Sequence, residues 1–501
     1  MELYLYFLLF VSLYLLTKIL LPKKKKNLPP SPPSFPILGH LHLIKKPLHR
    51  TLAKLSAKYG QLLYLRFGAV PVLVVSSASA VEECFTKKND IVFANRPKLM
   101  MGKVLGQNYT SLISAPYGAH WRNLRRISVI EILSANRIQM FSEVRFKELK
   151  TMIKRLIITG DEYRKVNMRS TFFELTLNIM MMMIAGKRYY GEGVEDLEET
   201  KEFQEMVSDT VLLGGASNIG DYLPVLRWLG VNGYEKRLRS LKGKRDACMR
   251  RLIEGRRKAR SEGGEKNATL IDVLLSLQEN EPDYYSDEMI QSLVWVLFVA
   301  GTDTTSGTME WAMSLLLNNP EVLKKAQSEI DNHVEPGRLV SESDLNKLPY
   351  LHSIINETLR MYPAAPLLVP HISSDNCIVG GYNIPKDTML LVNLWSVQND
   401  TNLWDEPTKF SPERFAGLEG TREGFKLMPF GSGRRGCPGE GLATHVVGLT
   451  LAALIQCFDW ERIGNEMVDM SEESGLTLPK AQPLEAMCKP RSRMLNVIEQ
   501  I

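Results

Sequence analysis

Residues 429–439 read PFGSGRRGCPG and place a single cysteine, Cys437, among four glycines. Glycine tolerates backbone dihedrals that other residues avoid, so the chain can come close to a group bound at the sulfur. A helix that begins at Pro438 would direct its first amide groups at the sulfur and favour the thiolate. Haem iron can take a cysteine thiolate as its axial ligand. The loop therefore predicts a haem bound through Cys437.

The residues around Cys437 form the pattern F-x-x-G-x-R-x-C-x-G. This pattern resembles the haem-binding loop of the cytochrome P-450 monooxygenases. The resemblance implies that Cys437 ligates the iron of haem b, and that Phe430, Arg435 and Gly439 also contact this cofactor. Phe430 would shield the sulfur, and Arg435 would meet a haem propionate. The alternative is a glycine-rich loop around a buried structural cysteine, and the motifs elsewhere in the chain count against it.

The same loop also contains G-x-G-x-x-G, the spacing of a dinucleotide-binding turn. That turn requires a preceding β-strand and a helix that opens within it. Residues 423–430 are poor strand formers, and the Cys437-Pro438 pair interrupts the start of a helix. We therefore expect no nicotinamide site here. The flavin or nicotinamide that feeds electrons should therefore sit on another protein. The resemblance implies that this protein is NADPH–cytochrome P-450 reductase, docked on the Cys437 side, where Arg434 and nearby basic residues could meet its acidic groups.

A long apolar helix is predicted over residues 287–318, and it contains the sequence AGTDTT at 300–305. Buried Asp and Thr are costly in such a helix unless they are paired or used. Asp303 and Thr304 resemble the acid–alcohol pair that manages proton delivery in monooxygenating cytochromes P-450. The alternative is structural, with the threonine bonded to a helix carbonyl and Asp303 held in a structural pair.

Two charged motifs follow in the order of the family. Glu357 and Arg360 lie three residues apart, on one face of a helix. Together with Arg414 they resemble the family's buried network that braces the haem loop. A buried network of charges needs all its members.

Two further motifs point to the cofactor. Trp121 and Arg125 form W-x-x-x-R, which resembles the family's helix that contacts the haem propionates. The indole N–H of Trp121 and the guanidinium of Arg125 would both serve these carboxylates. His371 falls where many members carry an Arg or His that contacts a propionate. The alternative for Trp121 is an amphipathic helix with a half-buried indole.

The N-terminus has the features of a membrane anchor. Residues 3–21 are nearly all apolar, and lysines occupy 23–26. Nineteen helical residues span about 28 Å, close to one bilayer core, and the lysines place the rest of the chain in the cytosol. We predict a transmembrane signal anchor at 1–22, a basic and proline-rich hinge at 23–39, and a catalytic domain at 40–501. By the resemblance, the membrane is that of the endoplasmic reticulum, crossed once.

The composition argues against several other classes of protein. The net charge is 62 − 56 = +6, much of it near the N-terminus, which gives no reason to expect nucleic acid as a partner. Six scattered cysteines without C-x-x-C spacing argue against a zinc ribbon or a disulfide framework. Helical patterns dominate, and a hairpin is predicted from strands at 61–67 and 70–75. The expected fold class is mainly α with a small β-rich part, the cytochrome P-450 fold, preceded by one transmembrane helix.

The motifs together predict a haem-thiolate monooxygenase of the plant A-type, similar to the group that holds isoflavone hydroxylases. The substrate would be an apolar metabolite such as an isoflavonoid or phenylpropanoid, which is hydroxylated or oxidatively ring-closed. A terpenoid or triterpenoid substrate is the alternative. A non-catalytic haem- or lipophile-binding membrane protein is a second hypothesis, against which the Asp303-Thr304 pair counts.

Overall fold

A computed structural model describes residues 27–500 except 158–162, 192–196, 216–217, 229–232, 264–268 and 419–423, and also residues 4, 6–7 and 9–14. The α-helices are α1 Leu48–Tyr59, α2 Ala78–Phe85, α3 Lys87–Val92, α4 Met100–Val104, α5 Ala119–Ser128, α6 Ala135–Met140, α7 Ser142–Leu156, α8 Met168–Ala185, α9 Leu197–Gly215, α10 Ile219–Tyr222, α11 Pro224–Trp228, α12 Tyr234–Ser261, α13 Leu270–Asn280, α14 Asp287–Asn318, α15 Pro320–His333, α16 Pro349–Met361, α17 Leu394–Gln398, α18 Glu440–Cys457 and α19 Leu495–Glu499. Short 3₁₀ turns occur at Leu41–Leu43, Glu342–Lys347, Pro412–Phe415, Gly424–Lys426, Gly433–Arg435 and Ser492–Met494, and a π turn at Val129–Leu133.

The strands are β1 Leu62–Phe67, β2 Val70–Val75, β3 Arg164–Asn167, β4 His371–Ile372, β5 Cys377–Val379, β6 Tyr382–Ile384, β7 Met389–Val392, β8 Phe458–Glu461 and β9 Glu485–Pro490. They form sheets of order β1-β2-β7-β4, β3-β9-β8 and β5-β6. The predicted hairpin is confirmed, because β1 pairs antiparallel with β2 from Leu62↔Val75 to Phe67↔Val70. Its turn requires glycine, since a Cβ on Gly68 would lie 2.2 Å from the Tyr222 carbonyl oxygen.

The long helix α14 runs through the centre of the molecule and confirms the helix predicted at 287–318. The Ser286 hydroxyl caps its first turn by accepting the Met289 N–H, and Pro320 begins the next helix. Helix α8 packs along α14, and α18 and α16 also contact it. Most large apolar side chains of these helices belong to one continuous core. The predicted fold class, mainly α with a small β-rich part, is confirmed.

The predicted anchor at 1–22 lies largely outside the described residues. Those described among residues 4–14 are helical, and several of their large apolar side chains are exposed, including Tyr4, Phe7 and Phe10. In the described part of the chain, one helix, α18, is long and apolar enough to span a membrane, but it is mostly buried in the core.

The described part of the proline-rich segment, 27–39, packs against the body. The Pro30 carbonyl accepts the Tyr64 N–H at 2.9 Å, and the Asn27 carbonyl accepts the Asn383 N–H at 2.7 Å. The His40 imidazole, which is buried, lies 2.9 Å from the Pro32 carbonyl oxygen. These contacts attach the segment to β1 and to β6, so its direction relative to the body is set before the chain reaches α1.

Candidate active site

The loop around Cys437 is shaped by backbone contacts. Gly433 has a positive φ of 69°, and a Cβ on it would lie 2.4 Å from a carboxylate oxygen of Asp90, so only glycine fits. The Cys437 N–H donates to the Phe430 carbonyl at 2.8 Å, and the Gly439 N–H points at the Cys437 sulfur at 3.3 Å. Helix α18 begins at Glu440, two residues later than predicted, and still presents its N-terminus to the sulfur.

The Cys437 side chain opens into a cavity of about 320 Å³, which accounts for its exposed surface. Burial raises the pKa of the Cys437 thiol above its usual value, whereas the Gly439 amide and the Arg125 guanidinium act to lower it. A metal ion bound at the sulfur would supply a positive centre and replace the proton.

The cavity walls are mainly apolar and come from helices distant in sequence. Helix α14 contributes Ala300, Gly301 and Thr304, and α18 contributes Leu442 and Val446. The segment between α16 and β4 adds further apolar residues, Ala364, Ala365, Leu368 and Val369. Such a site suits a largely apolar ligand with a few polar anchors.

Four basic side chains, Arg96, Arg125, His371 and Arg435, line one part of this cavity. None has a carboxylate partner among the described residues. Burial lowers the pKa of Arg96 to about 9 and that of Arg435 to about 10, and both effects are reinforced by a neighbouring arginine. The pKa of His371 is lowered well below its usual value by burial and then by Arg96.

Three partly buried arginines without anions, Arg96, Arg125 and Arg435, are unfavourable unless an anionic ligand joins them. The Nε atom of Arg96 is buried without a hydrogen-bond partner, which marks a donor that a ligand can use. Haem combines a flat apolar ring, an iron atom and two carboxylates. The sulfur, the apolar walls and the basic side chains therefore fit haem.

Trp121 and Arg125 lie on α5, and both line the cavity, as does Phe430. The Arg435 guanidinium stacks 4.2 Å from the centre of the Trp121 ring. The expectation that the Trp121 N–H serves a carboxylate does not hold in this structure, because it donates to the Leu112 carbonyl at 3.0 Å. Trp121 instead offers a ring face that orients Arg435.

Arg96 is a basic residue that lines the cavity and that sequence reasoning missed. It lies in the loop between α3 and α4, and its Nη1 donates to the carbonyls of Val369 and Pro370 at 2.7 and 2.9 Å. The Asn95-Arg96-Pro97 tripeptide has no periodicity to indicate burial. The one local feature that could have drawn attention to Arg96 is its position as a lone basic residue directly before Pro97.

The acid and the alcohol of α14 face different surroundings. Thr304 lines the cavity, and its hydroxyl donates to the Ala300 carbonyl at 2.7 Å, as in the structural alternative. Asp303 lies outside the cavity wall. Burial raises the pKa of Asp303, while a hydrogen bond from Thr477 and the charge of Arg169 act in the opposite direction. The structure thus brings Thr304, but not Asp303, into contact with the cavity.

The network predicted from E-x-x-R is present and buried. Glu357 and Arg360 are fully buried and joined by two bonds, Nε at 2.7 Å and Nη2 at 2.9 Å. The Arg414 Nε donates to the same carboxylate at 3.2 Å, and so does the Ser411 N–H at 3.1 Å. Arg360 also donates to the Pro407 carbonyl at 2.8 Å. The side-chain nitrogens of Arg360 and both oxygens of Glu357 thus all have partners.

Comparison with known proteins agrees with this geometry. Residues 29–485 match the family model "Cytochrome P450". Cytochrome P450 81Q32 of Catharanthus roseus is 53% identical over 95% of this chain and 94% of its own length. Isoflavone 2'-hydroxylase of Glycyrrhiza echinata is 49% identical over 99% and 98%. (+)-Piperitol/(+)-sesamin synthase CYP81Q2 of Sesamum radiatum is 50% identical over 98% and 97%. With a fold, a cavity and a cysteine loop that all agree, the chain belongs to the cytochrome P450 family, the haem-thiolate monooxygenases that take electrons from a redox partner and act on apolar substrates.

Proposed function

We propose that this monooxygenase hydroxylates, or closes a ring by oxidation in, an isoflavonoid or a related phenylpropanoid. The observation that carries the proposal is the Cys437 sulfur, which opens into a mainly apolar cavity that Thr304 also lines. The relatives named above include an isoflavone 2'-hydroxylase and a sesamin synthase. Their names support a phenolic plant metabolite as the substrate, and they support both hydroxylation and oxidative ring closure as the reaction.

In this proposal Cys437 would ligate the iron, and bound haem would supply the activation of O2. One oxygen atom enters a C–H bond and the other leaves as water, with two electrons from NADPH and two protons. The Gly439 amide holds the sulfur in place and stabilises its negative charge. Arg96, Arg125 and Arg435 would bind the propionates, since their charges lack other anions in the described structure, and a propionate beside His371 would favour its charged form. Phe430 shields the sulfur, and the apolar walls orient the substrate and exclude water.

Proton delivery is assigned to Thr304 and Asp303. The Thr304 hydroxyl is at the cavity wall, and by rotating it can donate to a group inside the cavity instead of to the Ala300 carbonyl. Asp303, with its raised pKa, can hold a proton near neutral pH more readily than an exposed aspartate. Because Asp303 lies off the cavity wall, water would carry the proton between the two.

Replacing Thr304 with alanine should therefore uncouple the reaction. We expect NADPH oxidation to continue while product per NADPH falls by about tenfold and hydrogen peroxide rises, as a donor in the reaction path is lost. Quantifying product, NADPH and peroxide in one assay measures this. Thr302→Ala is the control, because the Thr302 hydroxyl makes the same kind of bond, to the Phe298 carbonyl, but is fully buried and outside the cavity. Coupled turnover in Thr304→Ala would contradict the assignment.

Replacing Arg96 with leucine should weaken haem binding. A charged hydrogen bond is worth about 1.5–3 kcal/mol, so haem should leave about tenfold faster or more. Transfer of haem to an excess of an acceptor apoprotein measures the rate. Arg66→Leu is the control, because the Arg66 Nε is likewise buried without a partner but lies outside the cavity. Equal rates for Arg96→Leu and the wild type would remove Arg96 from the cofactor site.

The substrate is tested by a metabolite screen. Microsomes from yeast that coexpress this chain and a plant reductase are incubated with isoflavones, furanoid lignans and triterpenes in the presence of NADPH. Oxygen-dependent oxidation of an isoflavone or lignan is the expected result. Oxidation of triterpenes alone would favour the terpenoid alternative. No product from any class, with a normal thiolate spectrum, would reject the proposed substrate class.

The electron donor is proposed to be NADPH–cytochrome P-450 reductase, docked beside the Cys437 loop. Arg434, the residue first expected to face it, forms an ion pair with Asp90 and donates to the Tyr117 hydroxyl at 3.1 Å. Two exposed arginines of α5 are better placed, Arg122 and Arg126. The Arg122 guanidinium lies 5.6 Å from the Tyr117 ring centre, so it adjoins Arg434. Neither has a carboxylate partner in the described structure.

Neutralising Arg122 and Arg126 to glutamine should slow the first electron transfer by about tenfold at low ionic strength, because charge steers the docking of protein pairs. Stopped-flow reduction under carbon monoxide reports this rate, and the haem content should stay unchanged. The control is Lys236→Gln with Arg237→Gln, two exposed basic residues on α12. A rate unaffected in the α5 variant, or equally slowed in the α12 variant, would exclude this docking face.

The membrane arrangement is also a proposal: a single anchor at 1–22, a hinge at 23–39 and a cytosolic catalytic domain at 40–501, in the endoplasmic reticulum. It is supported by the exposed apolar side chains of the N-terminal helix and of Phe35, Ile37 and Leu38 in the segment that follows it. Residues 23–501 expressed without the anchor should shift from the membrane pellet toward the soluble fraction. Membrane binding unchanged by the truncation would place the main attachment elsewhere.

A further inference from the structure

Gln398 is a fully buried residue at the end of α17 whose amide bonds in two directions. Its Nε2 atom donates to the carbonyl oxygens of Leu359 and Arg360, both at 2.9 Å. Its Oε1 atom accepts the Met428 N–H at 3.3 Å. One side chain therefore connects the end of α16 with the segment that leads to Cys437.

The bonds to α16 meet a need of that helix. Leu359 and Arg360 lie in its last turn, where backbone carbonyls have no partner within the helix. The backbone carbonyl of Gln398 also accepts a bond from the Arg360 Nη1 at 2.8 Å. Arg360 is thus held to Gln398 through its side chain and its main chain. Since Leu359 and Arg360 are buried, losing the side-chain amide of Gln398 would leave their carbonyl oxygens without this partner.

The bond to Met428 reaches the cysteine loop in two steps. The Met428 carbonyl accepts the Gly431 N–H at 2.9 Å, which forms the turn around Phe430. The Phe430 carbonyl in turn accepts the Cys437 N–H at 2.8 Å. A shift of Met428 therefore moves the backbone group that holds Cys437.

We propose that Gln398 is a positioning residue, which transmits the rigid geometry of the Glu357–Arg360–Arg414 network to the loop and so sets the place of the Cys437 sulfur. The inference rests on the proposed role of Cys437 as iron ligand. In this inference the amide of Gln398 connects the network to the backbone that holds the Cys437 sulfur. Among the described residues, the side chains of this network make no hydrogen bond to residues 429–439.

The test compares two buried amides of the same helix. Gln398→Met keeps the length of the side chain and removes both the Nε2 donor and the Oε1 acceptor of the amide. Asn393→Leu is the matched control at the other end of α17. Asn393 is also fully buried, and its amide donates to the His49 carbonyl at 2.9 Å and accepts the Ser396 N–H at 3.2 Å, away from the cysteine loop.

Each variant is purified, its folded fraction is measured by far-UV circular dichroism, and its reduced carbon monoxide spectrum is recorded. In Gln398→Met the ratio of the red-shifted thiolate band to the non-thiolate band should fall by about tenfold, the usual size of effect when a group that orients a metal ligand is lost. Asn393→Leu should melt at a lower temperature than the wild type and keep the wild-type band ratio. A merely structural role for Gln398 would lower the melting temperature in both and leave both ratios unchanged.

Gln398→Asn covers the case in which Gln398→Met does not fold. It keeps an amide but is one methylene too short to reach α16 and Met428 together, so the thiolate band should again decline. A wild-type band ratio in folded Gln398→Met or Gln398→Asn overturns the inference, and so does an equal loss in Asn393→Leu. A wild type without a thiolate band is a different result, because it refutes the proposed role of Cys437 itself.

Discussion

Replacing Cys437 with serine is expected to abolish product formation and to remove the thiolate signature. A serine hydroxyl is nearly the size of the thiol but is a poor ligand for haem iron, so the cavity should keep its shape while the iron loses its axial donor. The reduced carbon monoxide spectrum should lack the red-shifted Soret band in folded protein. Product in the reconstituted microsomal assay should fall to the detection limit.

The control for this variant is Cys377→Ser. Cys377 is a partly exposed cysteine on β5, outside the cavity, where burial raises the pKa of the thiol to about 11. It should keep both the spectrum and the activity. Retention of the red-shifted band by Cys437→Ser would show that another cysteine binds the iron, and both the assigned roles of the loop and the substrate proposal would have to be reconsidered.

Replacing Glu357 with glutamine should have the second largest effect, on stability and haem incorporation together. The substitution leaves the Arg360 guanidinium fully buried without its counter-ion. Breaking a buried pair in this way costs about 3–5 kcal/mol, a large part of the roughly 5–15 kcal/mol that keeps a typical domain folded. We expect little folded holoprotein, measured as haem per folded chain and as the thermal midpoint.

Glu413→Gln serves as the control for Glu357→Gln. The Glu413 carboxylate pairs with Lys325 at 2.7 Å, but both side chains are about half exposed, and such pairs contribute about 0–1 kcal/mol. Its haem content should equal that of the wild type. If Glu357→Gln were as mild as Glu413→Gln, the buried network would not brace the site.

Local patterns predicted several elements well. The helix expected at 287–318 is α14, because its apolar stretch is bounded by a capping serine and by a proline, signals that act within a few residues. The hairpin at 61–75 follows from a largely apolar run, LLYLRF, and a valine-rich run, VPVLVV, on the two sides of Gly68. The pairing of Glu357 with Arg360 is equally local, since three residues of helix place both on one face. The cytochrome P-450 fold expected from the cysteine loop is confirmed by the family match.

Other features depended on residues that are distant in sequence. Arg96 joins Arg435 in the cavity only because the loop after α3 packs beside the cysteine loop. Arg434 was expected to face a partner, yet Asp90 of α3 neutralises it. The orientation of Asp303 was not predictable from its position next to Thr304. Neighbouring residues on a helix point about 100° apart, so Asp303 faces away from the side that Thr304 presents to the cavity. The surroundings of Asp303 are set by a distant segment, which contributes Thr477.

The amino-acid sequence by itself determined the chemistry of this protein: the cysteine, the glycines that let the backbone approach it, and the order of the motifs along the chain. Tertiary structure alone decided which charges are left without partners and which helix faces the cavity. The physical reason is that hydrogen bonding and helix periodicity act over a few residues, whereas burial and charge pairing depend on every segment that packs nearby. Gln398 illustrates the difference, because nothing in its local sequence indicates that it connects α16 with the loop of Cys437.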